Sequence, residues 1–343
     1  ARGSATVALS DEAAAEQTIA ELRRTIDSLQ RRLAREKDRT EAVVEAVYSA
    51  VADSIRALDI PPVAQLAEGV ADTVDVAAVL LLSDWQLGKR TPTYSSEVCE
   101  ERIALLREKV DRLVDIQRAD HPVKRICLFL LGDMIEGELI FPGQAHEVDS
   151  SLYRQVAVDG PRILGDTVRW ALSRFEQVEV HAVPGNHGHI GGRSRREMHP
   201  ESNADRMLYE ITRQLVPDAD WHISGDWWHV ADLGERSRFL LLHGDQVRGY
   251  AGIPWYGWAR KVLAWGSLSR IWPDMDFDHV VAGHFHTPVS LYLNGRRLWV
   301  NASTESHNPY ALEQLAAAGE PAQWLLFVKP GKGVTCEYLV NLS

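Results

Sequence analysis

Cysteine is scarce in this 343-residue chain: the three present, Cys99, Cys127 and Cys336, lie far apart and form no CxxC pair. An odd, scattered set excludes a disulfide framework and a thiolate zinc site and fits a reducing compartment, so a cytoplasmic location is expected. Long apolar runs are also missing. "VAAVLLL" and "ICLFLL" fall far short of the roughly 20 residues that cross a bilayer. No basic-then-apolar signal pattern opens the chain, and no membrane partner is expected. Positive charge is in deficit, with 37 Lys and Arg against 48 Asp and Glu, a net −11. An acidic protein repels a polyanion, which excludes indiscriminate nucleic-acid binding and confines any such contact to local basic patches.

Glycine and proline are absent between residues 11 and 58. There Ile19, Leu22, Ile26, Leu29 and Leu33 alternate spacings of three and four among charged residues, the seam of a coiled coil. The seam falters at Glu36 and Thr40, then resumes through Val43 or Val44, Val47, Val51, Ile55 and Leu58. This pattern predicts a helix that pairs with a second copy, a homodimer; the alternative is an amphipathic helix packed on its own domain. The prolines of "DIPPV" end the helical region. The expected division is an oligomerisation segment over residues 1–62 and a catalytic domain over 63–343.

From residue 76 the pattern becomes α/β, and with 45% hydrophobic residues the chain has enough for a substantial core. Short β-branched and leucine runs predict strands over 76–82, 125–131, 178–183, 239–242 and 279–282. Helices are predicted over 97–117, 149–174, 202–215 and 254–268. Asn-Gly in "SLYLNGRRLWV" and Pro-Gly in "WLLFVKPGKGVTCEYLV" mark C-terminal hairpins.

Each of the five apolar runs stops on a residue of metal-binding type: Asp84, Asp133, Asn186, His243, and His284 with His286. The carboxyl ends of strands in an α/β sheet share one edge, where loops gather distant side chains into one pocket. A single Asp after a strand is an ordinary turn former, and a single His an ordinary structural residue. Repetition at five strand ends is what points to a site, and the glycines of "GD", "GNHG", "HGD" and "GHFH" permit the tight turns that convergence needs.

The stretches "SDWQ", "GDMIE", "PGNHG", "LLHGD" and "GHFHTP", in this order, resemble the calcineurin-like metallophosphoesterase superfamily over roughly three quarters of the chain. The resemblance implies an α/β fold of four layers, α-β-β-α, with two facing sheets flanked by helices and two divalent cations at the strand ends. It makes Asp133 the bridging carboxylate, places Asp84, Gln86 and His286 on the first cation, and places Asn186, His243 and His284 on the second. It makes His187 the group that contacts the scissile phosphate and protonates the leaving oxygen. Mixed imidazole, carboxylate and amide donors suit manganese above all, with magnesium, iron and zinc as alternatives. Two features depart from the family pattern. Gln86 stands where His is usual, so it either coordinates weakly through its amide oxygen or only hydrogen-bonds a metal-bound water or a neighbouring ligand. Gly188 stands where a carboxylate usually follows the catalytic His, which leaves Glu136, Asp245 or His189 to orient His187.

Substrate choice resides in loops. Arg193, Arg195 and Arg196 follow "GNHG", and Lys89 and Arg90 follow Gln86; these five are the candidate phosphate-binding residues. Arg248, Arg260 and Lys261 alternate with Tyr250, Trp255, Tyr256, Trp258 and Trp265, a mixture suited to gripping phosphates and stacking on bases. The arginine loop and the helix "SNADRMLYEITRQL" resemble the DNA repair exonuclease branch, phage-type members included, and DNA is the expected partner. Two rivals are a small-molecule or phosphoprotein phosphoesterase, whose pocket the insert "GELIFPGQAHEVD" would wall, and a scaffold with a degraded site. His121, His181, His222, His229 and His279 are expected to be structural.

Overall fold

A computed structural model of the chain describes residues 74–190, 200–248, 253–305 and 319–343, with isolated residues between 24 and 56. The chain divides into two units, Ala1–Ala57 and Leu58–Ser343. In the first unit the described residues are helical; of the seam positions Leu29 is exposed and Val51 buried. Ile19, Leu22, Ile26, Leu33, Val43, Val44, Val47, Ile55 and Leu58, and the expected boundary between residues 62 and 63, lie outside the described residues. Among the described residues no helix is long and apolar enough to cross a membrane.

The second unit is built on two sheets. Strands β1 (Ala77–Leu82), β2 (Arg125–Leu130), β3 (Gln177–Ala182) and β4 (Asp220–Ile223) run parallel as neighbours. The antiparallel pair β10 (Ala322–Lys329) and β11 (Gly333–Asn341) extends the β1 edge, giving the order β11-β10-β1-β2-β3-β4. The second sheet has the order β5-β6-β7-β9-β8, from β5 (Trp228–Asp232), β6 (Arg238–Leu242), β7 (His279–Ala282), β8 (Val289–Leu293) and β9 (Arg296–Val300). Asn294 and Gly295, at φ 48° and 85°, turn β8 into β9; two positive φ values in a row match the twist of a two-residue hairpin, as the Asn-Gly pair predicts.

Side-chain alternation explains the layering. Val79 and Leu81 of β1, with Cys127 and Phe129 of β2, pack against Phe239, Leu241, Val281 and Trp299 from the second sheet. The other faces of both sheets are apolar as well, which is why these strands are continuous hydrophobic runs. Beyond the second sheet, Leu240, Leu242, Val280 and Val300 pack against Trp258, Val262 and Trp265 of α4 (Trp255–Leu268). Helix α1 (Ser96–Arg118) buries Cys99, Ile103, Leu106, Val110 and Val114, one stripe at helical spacing. It packs on α2 (Gly160–Arg174), which meets β3, and α3 (Ala204–Leu215) packs on α2 and β4. The result is the four-layer α-β-β-α sandwich.

Two local differences from the sequence expectation have physical causes. The predicted helix over 149–174 starts later, as one α turn, Leu152–Arg154, followed by a π turn, Gln155–Asp159. Pro161 in the first turn of α2 lacks the N–H that would continue the ladder. A Cβ on Gly160 would meet the Gln155 carbonyl oxygen at 2.2 Å, so glycine admits the bulge. β4 and β5 are short and half polar, and their strand character comes from pairing with β3 and β6.

Candidate metal centre and hydrolytic site

β1, β2 and β3 end at one edge of the first sheet, and the parallel β6 and β7 end at one edge of the second. The loops leaving these ends carry all the strand-end candidates. Among the described residues seven non-glycine positions have positive φ, and five of them are Asp84 (53°), Gln86 (44°), Asp133 (52°), His284 (73°) and His286 (53°). Such backbone costs on the order of 1 kcal/mol or more per residue and clusters where side chains must be aimed. Gly185 lets two of these loops touch: a Cβ there would lie 2.2 Å from the Asp133 Oδ1. Asp205, from the first turn of α3, joins them. Its carboxylate accepts from the N–H groups of Asp133 (2.8 Å), Met134 (3.1 Å) and Gly185 (2.9 Å).

Asp133, His243 and His284 bring ligand atoms within 4.8 Å of one another, and Asn186 joins them. His243 Nδ1 donates to the Leu131 carbonyl at 2.8 Å. Its Nε2 therefore faces Asp133 Oδ2 at 3.0 Å, Asn186 Oδ1 at 3.1 Å and His284 Nδ1 at 3.2 Å. Four lone-pair atoms converge there, a donor set that requires a positive charge between its members. In the metal-free chain a proton supplies it: burial disfavours the His243 imidazolium, but the Asp133 carboxylate prevails and lifts it to about 10. Burial alone would raise the Asp133 carboxyl, yet His243 and His187 hold it well below the usual carboxylate range. Burial, then the neighbouring His243, push His284 down to about 4.

Asp84, Gln86 and His286 also come together. His286 Nε2 lies 3.4 Å from Asp84 Oδ1 and 3.1 Å from Gln86 Nε2, while Asp84 accepts from the His284 N–H at 3.0 Å. Two further residues complete this side. Lys89 Nζ donates to Gln86 Oε1 at 2.8 Å and to Glu305 Oε2 at 2.9 Å, and Glu305 lies 3.5 Å from His286 Nδ1. Glu305, only 5% exposed, was not singled out from the sequence. Its signal was present, because "NASTE" follows the apolar end of β9 as the other ligand loops follow theirs.

His187 stands beside the Asp133 cluster. Its backbone N–H donates to Asp133 Oδ1 at 2.7 Å, its Nδ1 lies 2.9 Å from the Glu136 carbonyl oxygen, and its Nε2 is 4.0 Å from Asp133 Oδ2. Among the candidate orienting groups, Glu136 is placed against the imidazole, its carboxylate 3.3 Å from His187 Nδ1. Gly188 cannot carry the usual carboxylate, because a Cβ would lie 2.3 Å from the Asn203 Oδ1.

With this geometry in place, comparison with known proteins decides the family. The calcineurin-like phosphoesterase family model matches residues 77–288. The chain belongs to that family. Similar solved structures include vacuolar protein sorting 29 from Cryptosporidium parvum, at 14% identity over 77% of this chain and 98% of that one, TM-score 0.34. A zinc-complexed vacuolar protein sorting 29 from Entamoeba histolytica has 15% identity over 78% and 99%, TM-score 0.34. An archaeal phosphodiesterase has 11% identity over 77% and 99%, TM-score 0.35. No curated protein matches the chain.

Calcineurin-like phosphoesterases hydrolyse phosphoesters with divalent cations, and the donor set of this phosphoesterase fits such an ion at Asp133, Asn186, His243 and His284. A bound divalent cation polarises phosphoryl oxygens and lowers the pKa of water. Of the candidate phosphate-binding residues, Lys89 is directed inward to Gln86 and Glu305. Arg90 is exposed and donates to the His146 carbonyl at 3.2 Å. Arg193, Arg195, Arg196 and Tyr250 lie outside the described residues. Trp258 and Trp265 are core residues, whereas Trp255 is 54% and Tyr256 82% exposed.

His181, His222 and His229 form a cluster of their own. His181 stacks on His222, 4.5 Å between ring centroids, and its Nδ1 lies 3.0 Å from His229 Nε2. Cys127, Glu179 and His181 also bring ligand atoms within 4.8 Å. The Arg125 guanidinium already neutralises Glu179 at 2.6 Å, and burial pushes the Cys127 thiol up to about 12, so this group is a structural network between sheets.

Proposed function

We propose that this phosphoesterase is a manganese-dependent phosphodiesterase that cleaves DNA, as exonuclease or endonuclease, and works as a homodimer joined through its N-terminal helix. The observation that carries the DNA reading is the placement of Trp255 and Tyr256. They sit, exposed, in the first turn of α4, and Trp258 of the next turn packs its ring 6.0 Å from Phe285, the residue between His284 and His286. Exposed aromatic faces on a helix whose buried Trp258 touches a ligand loop suit stacking on bases, and Arg248 and Arg260, both exposed, add the charge that phosphates need. In this reading His187, anchored through Nδ1 on Glu136, holds a proton at Nε2 for the leaving oxygen. The resemblance of the arginine-bearing loop and of α3 to the DNA repair exonuclease branch supports the same reading.

A second reading, a small-molecule phosphodiesterase, is favoured by the insert over 137–149. Gln144 is buried and donates to the Glu136 carbonyl at 2.8 Å and to its carboxylate at 3.0 Å, which ties the insert to the residue that holds His187. A wall there would narrow access. Labelled linear DNA, circular DNA, mononucleotides and bis-p-nitrophenyl phosphate, each with added manganese, separate the two. Cleavage of DNA that falls steeply with salt and is suppressed by Asp133→Asn and His187→Ala supports the nuclease; turnover of mononucleotides with DNA left intact refutes it.

A further inference from the structure

The first cation position differs from the second in one respect that goes beyond the Gln86 replacement. The second position is a convergence of lone pairs, whereas the first already contains a cation. Lys89 is 14% exposed at its side chain and is paired at 2.9 Å with Glu305, whose side chain is 2% exposed. The same ammonium donates to Gln86 Oε1 at 2.8 Å.

That contact determines how Gln86 is oriented. An amide offers an oxygen on one side and two N–H donors on the other, and an ammonium tolerates only the oxygen. Lys89 therefore draws the Gln86 oxygen toward itself and turns the amide nitrogen toward His286 Nε2, 3.1 Å away. A donor faces the ring nitrogen that a first cation would need, and the oxygen that would coordinate is already engaged. Glu305, the remaining carboxylate on this side, is neutralised by the same lysine. Its Oε2 serves Lys89 and His286 Nδ1, and its buried Oε1 has no hydrogen-bond partner among the described residues.

We infer that Lys89 is a built-in cation of the first position: locked between Gln86 and Glu305, it replaces much of the charge of a first divalent ion, and the chain holds one divalent ion tightly, at Asp133, Asn186, His243 and His284. A second divalent ion binds weakly, because it must displace Lys89 from Gln86 and face a like charge at short range. The fixed ammonium then takes over the electrostatic share of the missing ion toward a phosphoryl oxygen, a task suited to a compact, strongly hydrated point charge. The inference rests on the metal-dependent reading of the site but not on DNA as its substrate.

Metal occupancy tests it. The full chain, stripped with chelator, loaded with manganese and desalted, is expected to retain one manganese per chain, with the electron paramagnetic resonance signal of isolated ions. Lys89→Met is expected to retain two, with spin coupling between them, and to bind the second at least tenfold more tightly in calorimetric titration. Because Lys89→Met leaves Glu305 without its partner, Lys89→Met/Glu305→Gln serves as the second variant, with the same expected gain. Lys124→Met, whose ammonium pairs with Glu176 at the start of β2, is expected to stay at one. Two coupled manganese ions in the unmodified chain, or folded lysine variants that stay at one, overturn the inference. Absence of any tightly held manganese overturns it together with the metal-dependent reading, whereas a chain that binds one manganese and ignores DNA supports it and refutes only the substrate.

Discussion

His187 Nδ1 lies 2.9 Å from the Glu136 carbonyl oxygen and 3.3 Å from its carboxylate, so one residue holds the imidazole by backbone and side chain together. Burial disfavours the imidazolium, but Asp133 and then Glu136 prevail and lift His187 to about 9 in the metal-free chain. A histidine raised above its unfolded value contributes stability that is complete below about pH 6.5 and is lost as pH rises through about 9. Glu136→Gln is expected to lower the His187 pKa, read from its ring proton shift in the metal-free protein, and to cut kcat roughly tenfold or more. His187→Ala is expected to cost about 10²–10⁴ in kcat, the range for a lost general acid.

Asp205 binds two ligand loops at once through the N–H groups of Asp133, Met134 and Gly185. Asp205→Ala leaves these buried donors unpaired and is expected to destabilise the protein by about 2–4 kcal/mol. Asp205→Asn retains one acceptor and should cost less. Thermal melts of the two variants order them, and equal melting temperatures would contradict the cradle role.

His279 is only 8% exposed. Burial, with some help from Arg297, pushes it down to about 4. The unfolded chain then binds a proton that the folded chain refuses between about pH 6.5 and 4, so stability falls as pH drops through that window. The loss is up to about 3 kcal/mol for this residue. Packed between Phe239 and Trp299, His279→Phe is expected to reduce the difference in Tm between pH 7 and pH 5.

The tryptophans of α4 divide by exposure. Trp258→Ala is expected to cost about 3–5 kcal/mol, since the ring is fully buried in the layer between α4 and the second sheet. Trp255→Ala and Tyr256→Ala, at exposed positions, should change stability by less than about 0.5 kcal/mol. Each should weaken binding of single-stranded DNA by about 1–3 kcal/mol, the value of one stacked base. Unchanged DNA affinity in both would remove these residues from the substrate path.

Manganese is expected to raise Tm as its concentration exceeds Kd, adding about 2.7 kcal/mol of stability at a hundredfold excess. Asp133→Asn should abolish that rise, because the amide removes the carboxylate charge from the donor set that Asn186, His243 and His284 complete. A calorimetric scan with and without metal checks both.

Hydrophobic period and residue type determined much of this protein before any coordinates. Apolar runs such as "ICLFLL" must be buried on both faces, which requires parallel strands under helices, and a polar ligand type at each strand end places those groups on one edge. Local pattern could not decide contacts between residues distant along the chain. Glu305 reaches His286 and Lys89 from more than 200 positions beyond Lys89. Asp205 reaches Asp133 across 72 positions, and which of Glu136, Asp245 and His189 faces His187 depends on how a turn closes in space. The same holds for the tryptophans of α4, alike in sequence and opposite in exposure, because the side of a helix that meets a sheet is chosen by packing. The orientation of the Gln86 amide is the plainest case, since it follows from a charge that only folding brings within hydrogen-bond distance.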